Sequence, residues 1–252
     1  MPSPKCWIYP GGTHGSLEIV GAIENSCNFF FYEVGYRLST RGGVFNNEYG
    51  LKRLTKYVDL FGLTEKSGIE ITESEPDVST QDAIRSAIGQ GNHSYTTVGL
   101  ARYVNAVANS KRCYNLSVID KITDSNGNVI TDYSPGVRNE INIANSTWNL
   151  IHQGMRSAVE HYGAFEDFPM TAGGKTGTAQ QIATRPNHAL FIGFAPYNTP
   201  EIAVATRIAY GYTSSNAAEV TRDIFKYYFK LEEEDSIIKG EAVLPDSAAI
   251  SD

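Results

Sequence analysis

The stretch TAGGKTGTAQ, residues 171–180, and the two runs HALFIGFAP (188–196) and EIAVATRIAY (201–210) decide the fold of this chain. The two runs are β-rich and are separated by the turn-forming residues 197–200, which predicts a β-hairpin. TAGGKTGTAQ lies just upstream and is predicted to be a third strand. Glycine weakens a strand and usually marks a place where another backbone or a ligand comes close, although a simple glycine turn is the alternative interpretation.

Helical periodicity is the second feature of the chain. Apolar residues at helical spacing predict helices around residues 17–25, 29–38, 51–61, 101–108 and 146–162. A last helix is predicted to be capped by Ser215 or Asn216 and to run to about Tyr228. The turn signal DSNG, residues 124–127, predicts a further hairpin, because Asn-Gly tolerates the positive φ angles of tight turns. Helices mixed with antiparallel strands predict an α+β fold.

Length and charge limit the possible functions. The chain has 252 residues, a formal net charge of −7 and a pI near 5.3. These values argue against a nucleic-acid-binding protein, which would carry a basic stripe. No apolar run reaches about 18 residues, the length that indicates a membrane-spanning helix. Residues 1–230 are predicted to form one domain, and the acidic, aperiodic residues 231–252 are predicted to form a flexible tail.

The cysteines and histidines do not indicate a metal site by their spacing. Cys6, Cys27 and Cys113 show no CxxC or zinc-finger spacing. Cys6, His14 and Cys27 lie close enough in sequence for a soft metal to be considered, but no fourth ligand is evident. We therefore predict no metal site and no cofactor. The five histidines are expected to be structural or surface residues: His14, His93, His152, His161 and His188.

Two short motifs occur in order along the chain, Ser26-Cys27-Asn28 and, 149 residues after Ser26, Lys175-Thr176-Gly177-Thr178. They resemble the SxN and KTG motifs of penicillin-binding proteins. Four flanking segments extend the resemblance: HGSLEIVGAIENSCNFFFYEVG, IGQGNHSYTTVGLARYVNAVAN, GGKTGTAQ and NHALFIGFAPYNTPEIAVA. From Cys6 to about Phe229, the chain resembles the transpeptidase domain of class B penicillin-binding proteins, most closely the kind associated with cell elongation. This resemblance implies a β-lactamase/transpeptidase-like fold, with an antiparallel sheet flanked by helices.

The resemblance also implies roles in the reaction with D-Ala-D-Ala stem peptides. Lys175 would supply a fixed positive charge near the hydroxyl of Ser26 and favour its deprotonated form. Ser26 would then relay a proton to the departing D-alanine. Asn28 would hold the amide of the substrate. For Ser26 and Asn28, a polar helix cap is the structural alternative.

The strand that carries Lys175 would bind the substrate. Thr176 and Thr178 would project to one face of the strand, where their hydroxyls can hydrogen-bond the terminal carboxylate of the peptide. Gly177 between them would let the substrate approach the backbone. The backbone N–H of Thr178 would be one donor of the oxyanion hole. Peptidoglycan stem peptides and β-lactam antibiotics are therefore the expected ligands.

The sequence departs from the family in one respect. The SxxK motif, which carries the nucleophilic serine and comes before SxN in the family, has no counterpart before Ser26. The one SxxK string, residues 236–239, follows KTG and lies in the acidic tail. The chain is thus predicted to lack the nucleophile and, without an activated serine, to be inactive alone.

The same departure affects the predicted fold and its partners. The first strands of the family's five-stranded sheet would lie upstream, so we expect the N-terminal part of the same domain to be a partner. A full-length relative would carry a transmembrane anchor and would place this region outside the cytoplasmic membrane.

Two other functions share parts of this pattern. A β-lactam-binding sensor module also uses the SxxK serine, so the absence of that motif does not favour it. A serine β-lactamase shares SxN and KTG but hydrolyses the acyl-enzyme instead of passing it to an amine. The interval of 149 residues and the GQG and GFAP flanks favour a transpeptidase.

Overall fold

The computed structural model describes residues 5–181 and 184–237. The chain divides into two compact units. The first unit contains Asn28–Trp148, and the second combines Cys6–Cys27 with the residues from Asn149 onward. Among the described residues, the helices are too short or too polar to cross a lipid bilayer.

Helices and short strands alternate along the chain. The helices are α1 (Ile19–Glu24), α2 (Asn28–Leu38), α3 (Asn47–Leu60), α4 (Ala83–Ser86), α5 (Thr97–Asn109), α6 (Asn145–Glu160), α7 (Ser214–Tyr228) and α8 (Glu234–Ile237). The strands are β1 (Thr40–Arg41), β2 (Val44–Phe45), β3 (Arg112–Tyr114), β4 (Lys121–Thr123), β5 (Val129–Asp132), β6 (Val137–Glu140), β7 (Gly173–Ala179), β8 (His188–Ala195) and β9 (Ile202–Ile208). These elements confirm the predicted α+β class.

The second unit is built on an antiparallel sheet with the order β7-β8-β9. Lys175 on β7 pairs with Ile192 on β8, and Thr176 pairs with Phe191. The pairing of β8 with β9 confirms the predicted hairpin, and β7 confirms the predicted strand at KTGT. The resemblance implies a five-stranded sheet, and three of its strands are present within the described residues.

A cluster of aromatic rings forms the core of the second unit. Phe191 from β8 lies against Phe165, with ring centroids 5.4 Å apart, and Phe225 from α7 packs on the same ring at 6.4 Å. All three side chains are buried. A hydrogen bond of 2.7 Å between the hydroxyls of Thr206 and Thr221 also connects β9 to α7. This packing holds the sheet rigid below the KTGT segment.

The glycines of the KTGT strand have different surroundings. A Cβ atom at Gly173 would lie 2.7 Å from Cζ of Phe194, and one at Gly174 would overlap the ring of Phe191. At Gly177 a Cβ would meet only Cβ of Leu190, at an ordinary 3.5 Å. Packing inside the chain therefore requires the first two glycines, whereas it leaves space beside Gly177. Since all three lie within a strand, the simple glycine turn is ruled out.

The first unit consists of helices and three two-stranded pairs. The side chain of Asn46 accepts a hydrogen bond from the N–H of Tyr49 and caps α3, and Thr96 caps α5 in the same way. Arg102 on α5 is buried and donates to three backbone carbonyls that follow α3: those of Gly62, Glu65 and Lys66. The pairing of β4 with β5 around residues 124–127 confirms the predicted hairpin.

Two predicted details differ from the structure. The last helix is capped by Thr213, whose hydroxyl accepts a hydrogen bond from the N–H of Ser215, and not by Ser215 or Asn216. The segment predicted as a tail contains the short helix α8. Residues 238–252, including the lysine of the SxxK string, lie outside the described residues.

Candidate active site

Ser26 lies in a left-handed backbone conformation directly after α1. Its φ angle is +48°, in a region that glycine normally occupies. Two backbone hydrogen bonds close the end of the helix, from the N–H of Ser26 to the carbonyl of Ile23 and from the N–H of Cys27 to the carbonyl of Ala22. This pair of bonds is the Schellman pattern, in which the left-handed residue is usually glycine. A serine in this position costs about 1–2 kcal/mol relative to glycine.

The hydroxyl of Ser26 meets the KTGT strand. The ammonium of Lys175 donates a hydrogen bond to Oγ of Ser26 and a second one, of 3.1 Å, to Oγ1 of Thr176. Ser26 and Lys175 are predicted from the sequence to act together, and in the structure they are in direct contact within the second unit. The fold therefore brings two residues that are 149 positions apart in the sequence within hydrogen-bonding distance.

The charge on Lys175 can change near neutral pH. Burial lowers the pKa of Lys175 from its ordinary value of 10.5 to about 8, because the charged amine loses solvation. A fixed charge is predicted for Lys175 from the sequence, whereas burial in the structure gives the amine a pKa at which its charge can change. With a pKa of about 8, the amine is mainly protonated at physiological pH, yet it can release its proton readily.

The other predicted residues of the strand line the same edge. Thr176 and Thr178 pair with Phe191 and Ala189, which alternate along β8, so the two threonines lie on one face, as predicted. Thr176 is partly buried and Thr178 is exposed to solvent. Gly177 lies between them, where a Cβ would meet Cβ of Leu190 at an ordinary 3.5 Å. This edge can accept an extended peptide with hydroxyl groups in reach.

Asn28 belongs to a different part of the structure. It is the first residue of α2, in the first unit, whereas Ser26 and Lys175 lie in the second. The structure thus joins two of the predicted catalytic residues, and the role of Asn28 stays a prediction.

A second group of polar side chains surrounds the turn at Ser26. The Sγ atoms of Cys6 and Cys27 and a ring nitrogen of His14 all lie within 4.8 Å of one another. Sγ of Cys6 is 3.6 Å from Nδ1 of His14. From the sequence, these three residues are considered for a soft metal but no site is predicted, because no fourth ligand is evident; the fold nevertheless brings their ligand atoms together. These three residues could hold a soft metal ion.

The family of this chain is shown by a match to a protein-family model. Residues 5–226 match the family model described as the penicillin binding protein transpeptidase domain. The chain belongs to this family. The KTGT strand and the turn at Ser26 both lie within this penicillin-binding protein transpeptidase domain. The fold expected from the sequence is thereby confirmed.

Individual relatives of this transpeptidase domain are moderately similar. The chain is 26% identical over 272 residues to the peptidoglycan D,D-transpeptidase MrdA of Haemophilus influenzae, covering 89% of this chain and 40% of that protein. Penicillin-binding protein 2B of Streptococcus pneumoniae strain R6 superimposes with a TM-score of 0.77 at 25% identity, over 90% of this chain and 41% of that structure.

A third similar structure is penicillin-binding protein A of M. tuberculosis, as an imipenem acyl-enzyme complex. It has a TM-score of 0.74 at 22% identity and covers 87% of this chain and 49% of that structure. At this identity the likeness extends to the fold alone. The chain spans about two fifths of the length of the curated relative MrdA.

The cysteine–histidine cluster of this transpeptidase domain leads to a testable prediction. Two thiolates and one imidazole suit tetrahedral Zn²⁺, and ligand atoms around zinc lie about 3.5–4 Å apart. The separation of 3.6 Å between Cys6 and His14 fits that spacing. We expect the reduced protein to bind about one Zn²⁺ per chain, with water at the fourth position. Elemental analysis after dialysis against buffered zinc measures the metal content.

Two cysteine substitutions provide the comparison for this prediction. Cys27→Ser removes one ligand and should lower zinc affinity by at least about 10-fold. Cys113→Ser is the control, because Cys113 is buried in the first unit, far along the chain from the cluster. Equal zinc content in the wild type and in Cys27→Ser would contradict the prediction.

Proposed function

We propose that this chain is part of a peptidoglycan D,D-transpeptidase that cross-links D-Ala-D-Ala stem peptides through a serine acyl-enzyme and that penicillins acylate. The observation that supports the proposal most directly is the hydrogen bond from Lys175 to Ser26, two residues that the family motifs pair. No part of this chemistry calls for a cofactor.

In the proposed mechanism Lys175 and Ser26 move the proton of the leaving group. A serine hydroxyl of the SxxK segment gives its proton to the general-base lysine of that motif and attacks the carbonyl between the two D-alanines, so that an ester bond forms as the C–N bond breaks. The departing amine needs a proton, and Ser26 donates it from its hydroxyl. The Lys175 ammonium beside Ser26 stabilises the resulting alkoxide or replaces its proton. A pKa of about 8 suits such a transfer, because efficient proton donors have pKa values near the working pH.

The edge of β7 binds the substrate in this proposal. Thr176 and Thr178 hydrogen-bond the terminal carboxylate, and the positive charge of Lys175 attracts it. Gly177 has no side chain, which lets the peptide backbone lie against the strand. The N–H of Thr178 donates to the oxyanion as negative charge develops on the attacked carbonyl. Asn28 holds the amide of the substrate.

The nucleophile of the proposed enzyme comes from a segment outside these 252 residues, on an SxxK motif. The match to the penicillin binding protein transpeptidase domain supports a covalent intermediate on that serine. We also propose that the whole protein is anchored in the cytoplasmic membrane, with this domain facing the cell wall. The segments that flank the SxN and KTG motifs resemble those of elongation-type proteins and favour a role of that type.

The test uses the full-length protein, which is incubated with excess benzylpenicillin and analysed by intact mass and peptide mapping. We expect one penicilloyl adduct on a serine outside residues 1–252. The 252-residue chain by itself should keep an unmodified mass. Lys175 and Ser26 are close enough to assist acylation, yet neither forms the adduct in this mechanism.

Other outcomes of this test would change the proposal. An adduct on Ser26 or Ser236 would mean that the nucleophile is already in this chain. Rapid release of hydrolysed penicillin would favour a serine β-lactamase. Stable acylation without cross-linking of stem peptides would favour a β-lactam-binding sensor module.

A further inference from the structure

We propose that His188 is a positioning residue for the substrate-binding strand and that it holds this strand only in its neutral form. His188 is the first residue of β8, and it pairs across the sheet with Ala179, the last residue of β7. The proposal rests on the proposed function, because its readout is acylation by penicillin.

The imidazole of His188 joins three segments of the second unit. The backbone N–H of Tyr210, in the turn after β9, donates to Nδ1 of His188 at 3.0 Å. On the other side of the ring, Nε2 lies 3.0 Å from Oε1 of Gln181, two residues beyond the end of β7. The side chain is buried, with 7% of its surface exposed. It therefore connects the end of the KTGT strand to the turn after β9.

These contacts fix the tautomer of the ring. Nδ1 accepts the hydrogen bond from Tyr210, so it carries no proton. The single proton of the neutral ring is then on Nε2, and it is donated to Gln181. A neutral imidazole satisfies both partners, whereas an imidazolium has two donors and cannot accept from Tyr210.

The charged groups around the ring oppose its protonation. On β9, Nη2 of Arg207 lies 3.4 Å from Nε2 and 3.5 Å from Nδ1 of His188. Arg185 donates to the hydroxyl of Tyr210, whose ring is tilted against His188 with centroids 4.8 Å apart. From β7, the groups that face the ring are the uncharged Ala179 and Gln181. Burial and the charge of Arg207 lower the pKa of His188.

The contacts of His188 with Gln181 and Tyr210 lie close to the proposed oxyanion donor. Thr178 is next to Ala179, and its pairing partner Ala189 is next to His188. A ring that releases Gln181 or Tyr210 loosens the end of the strand at the residue whose N–H is the proposed oxyanion donor. Since catalytic donors must be held within a fraction of an ångström, a loosened strand slows acylation without abolishing it.

The test measures the second-order rate constant of acylation of the full-length protein by a fluorescent penicillin, between about pH 5 and pH 8. The wild type is expected to lose about 10-fold in rate as His188 gains a proton at the acid end. His188→Gln places an amide N–H near Nε2, so it keeps the bond to Gln181 and does not titrate. Because the variant leaves the N–H of Tyr210 without the Nδ1 acceptor, it should lower the rate by a similar factor at every pH and should remove the additional acid loss.

Two further variants separate positioning from folding. Gln181→Leu leaves the imidazole in place and removes its partner, so it should lower the rate by about 10-fold across the pH range. His93→Gln is the control, because His93 lies in the first unit and its ring stacks on Tyr95. The acylation rate of this control variant should fall at acid pH by the same factor as that of the wild type.

The possible results distinguish this inference from the proposed function. A wild type that no penicillin acylates at about pH 8 overturns the proposed function and this inference with it. The inference alone is overturned if the acylation rate of the wild type does not fall at acid pH. It is also overturned if the fall at acid pH persists in His188→Gln. A Gln181→Leu variant with the wild-type rate also overturns it.

Discussion

Lys175→Met is expected to lower the rate of penicillin acylation of the full-length protein by about 10²- to 10³-fold. The substitution keeps the length of the side chain and removes its charge. Ser26 then loses the ammonium that favours its alkoxide, and the carboxylate of the ligand loses its cationic partner. Stopped-flow or gel-based labelling with a fluorescent penicillin measures the rate.

The same variant is expected to be more stable than the wild type near neutral pH. The pKa of Lys175 is about 8 in the folded chain and 10.5 ordinarily, a gap worth about 3 kcal/mol. Below pH 8 the folded state bears the full cost of the buried charge. Between about pH 8 and 10.5 the unfolded state binds more protons, so the stability of the wild type rises with pH.

Denaturant unfolding at several pH values checks both parts of this expectation. The advantage of Lys175→Met should be largest near pH 7 and should shrink toward about pH 10.5. Lys56→Met on α3 is the control, because Lys56 is exposed to solvent, and it should change neither the rate nor the stability. An unchanged acylation rate in Lys175→Met would exclude the proposed role of the lysine.

Ser26→Gly and Ser26→Ala are both expected to lower the acylation rate by about 10²-fold, because each removes the proton relay. They should differ in stability. Alanine keeps the strained left-handed conformation at φ +48°, whereas glycine adopts it freely. We therefore expect the glycine variant to unfold with a free energy about 1 kcal/mol higher than that of the alanine variant.

Ser110 offers a matched control for this comparison. It also follows a helix in a left-handed conformation, with φ +56° after α5, but it lies in the first unit. Ser110→Gly should likewise be about 1 kcal/mol more stable than Ser110→Ala, and neither should slow acylation. If Ser26→Ala were acylated as fast as the wild type, the polar cap would be the better interpretation of Ser26.

Much of the fold could be predicted because its signals are local. The strands β7, β8 and β9, the hairpin at residues 124–127 and the longer helices follow from apolar periodicity and turn-forming residues, which act over a few neighbours along the chain. The pairing of Ser26 with Lys175 also came from the sequence, through the order of two family motifs and their flanks.

Other properties of the site depend on contacts between distant residues, so only the tertiary structure decided them. Burial, and not composition, lowers the pKa of Lys175 to about 8. The path of an irregular segment brings Cys6 and His14 to Cys27. His188 was expected to be a structural residue, and it gains a connection to Gln181 only because the sheet and the following turn meet around its ring. Solvation and side-chain distance are set by packing, which a pattern along the chain does not record.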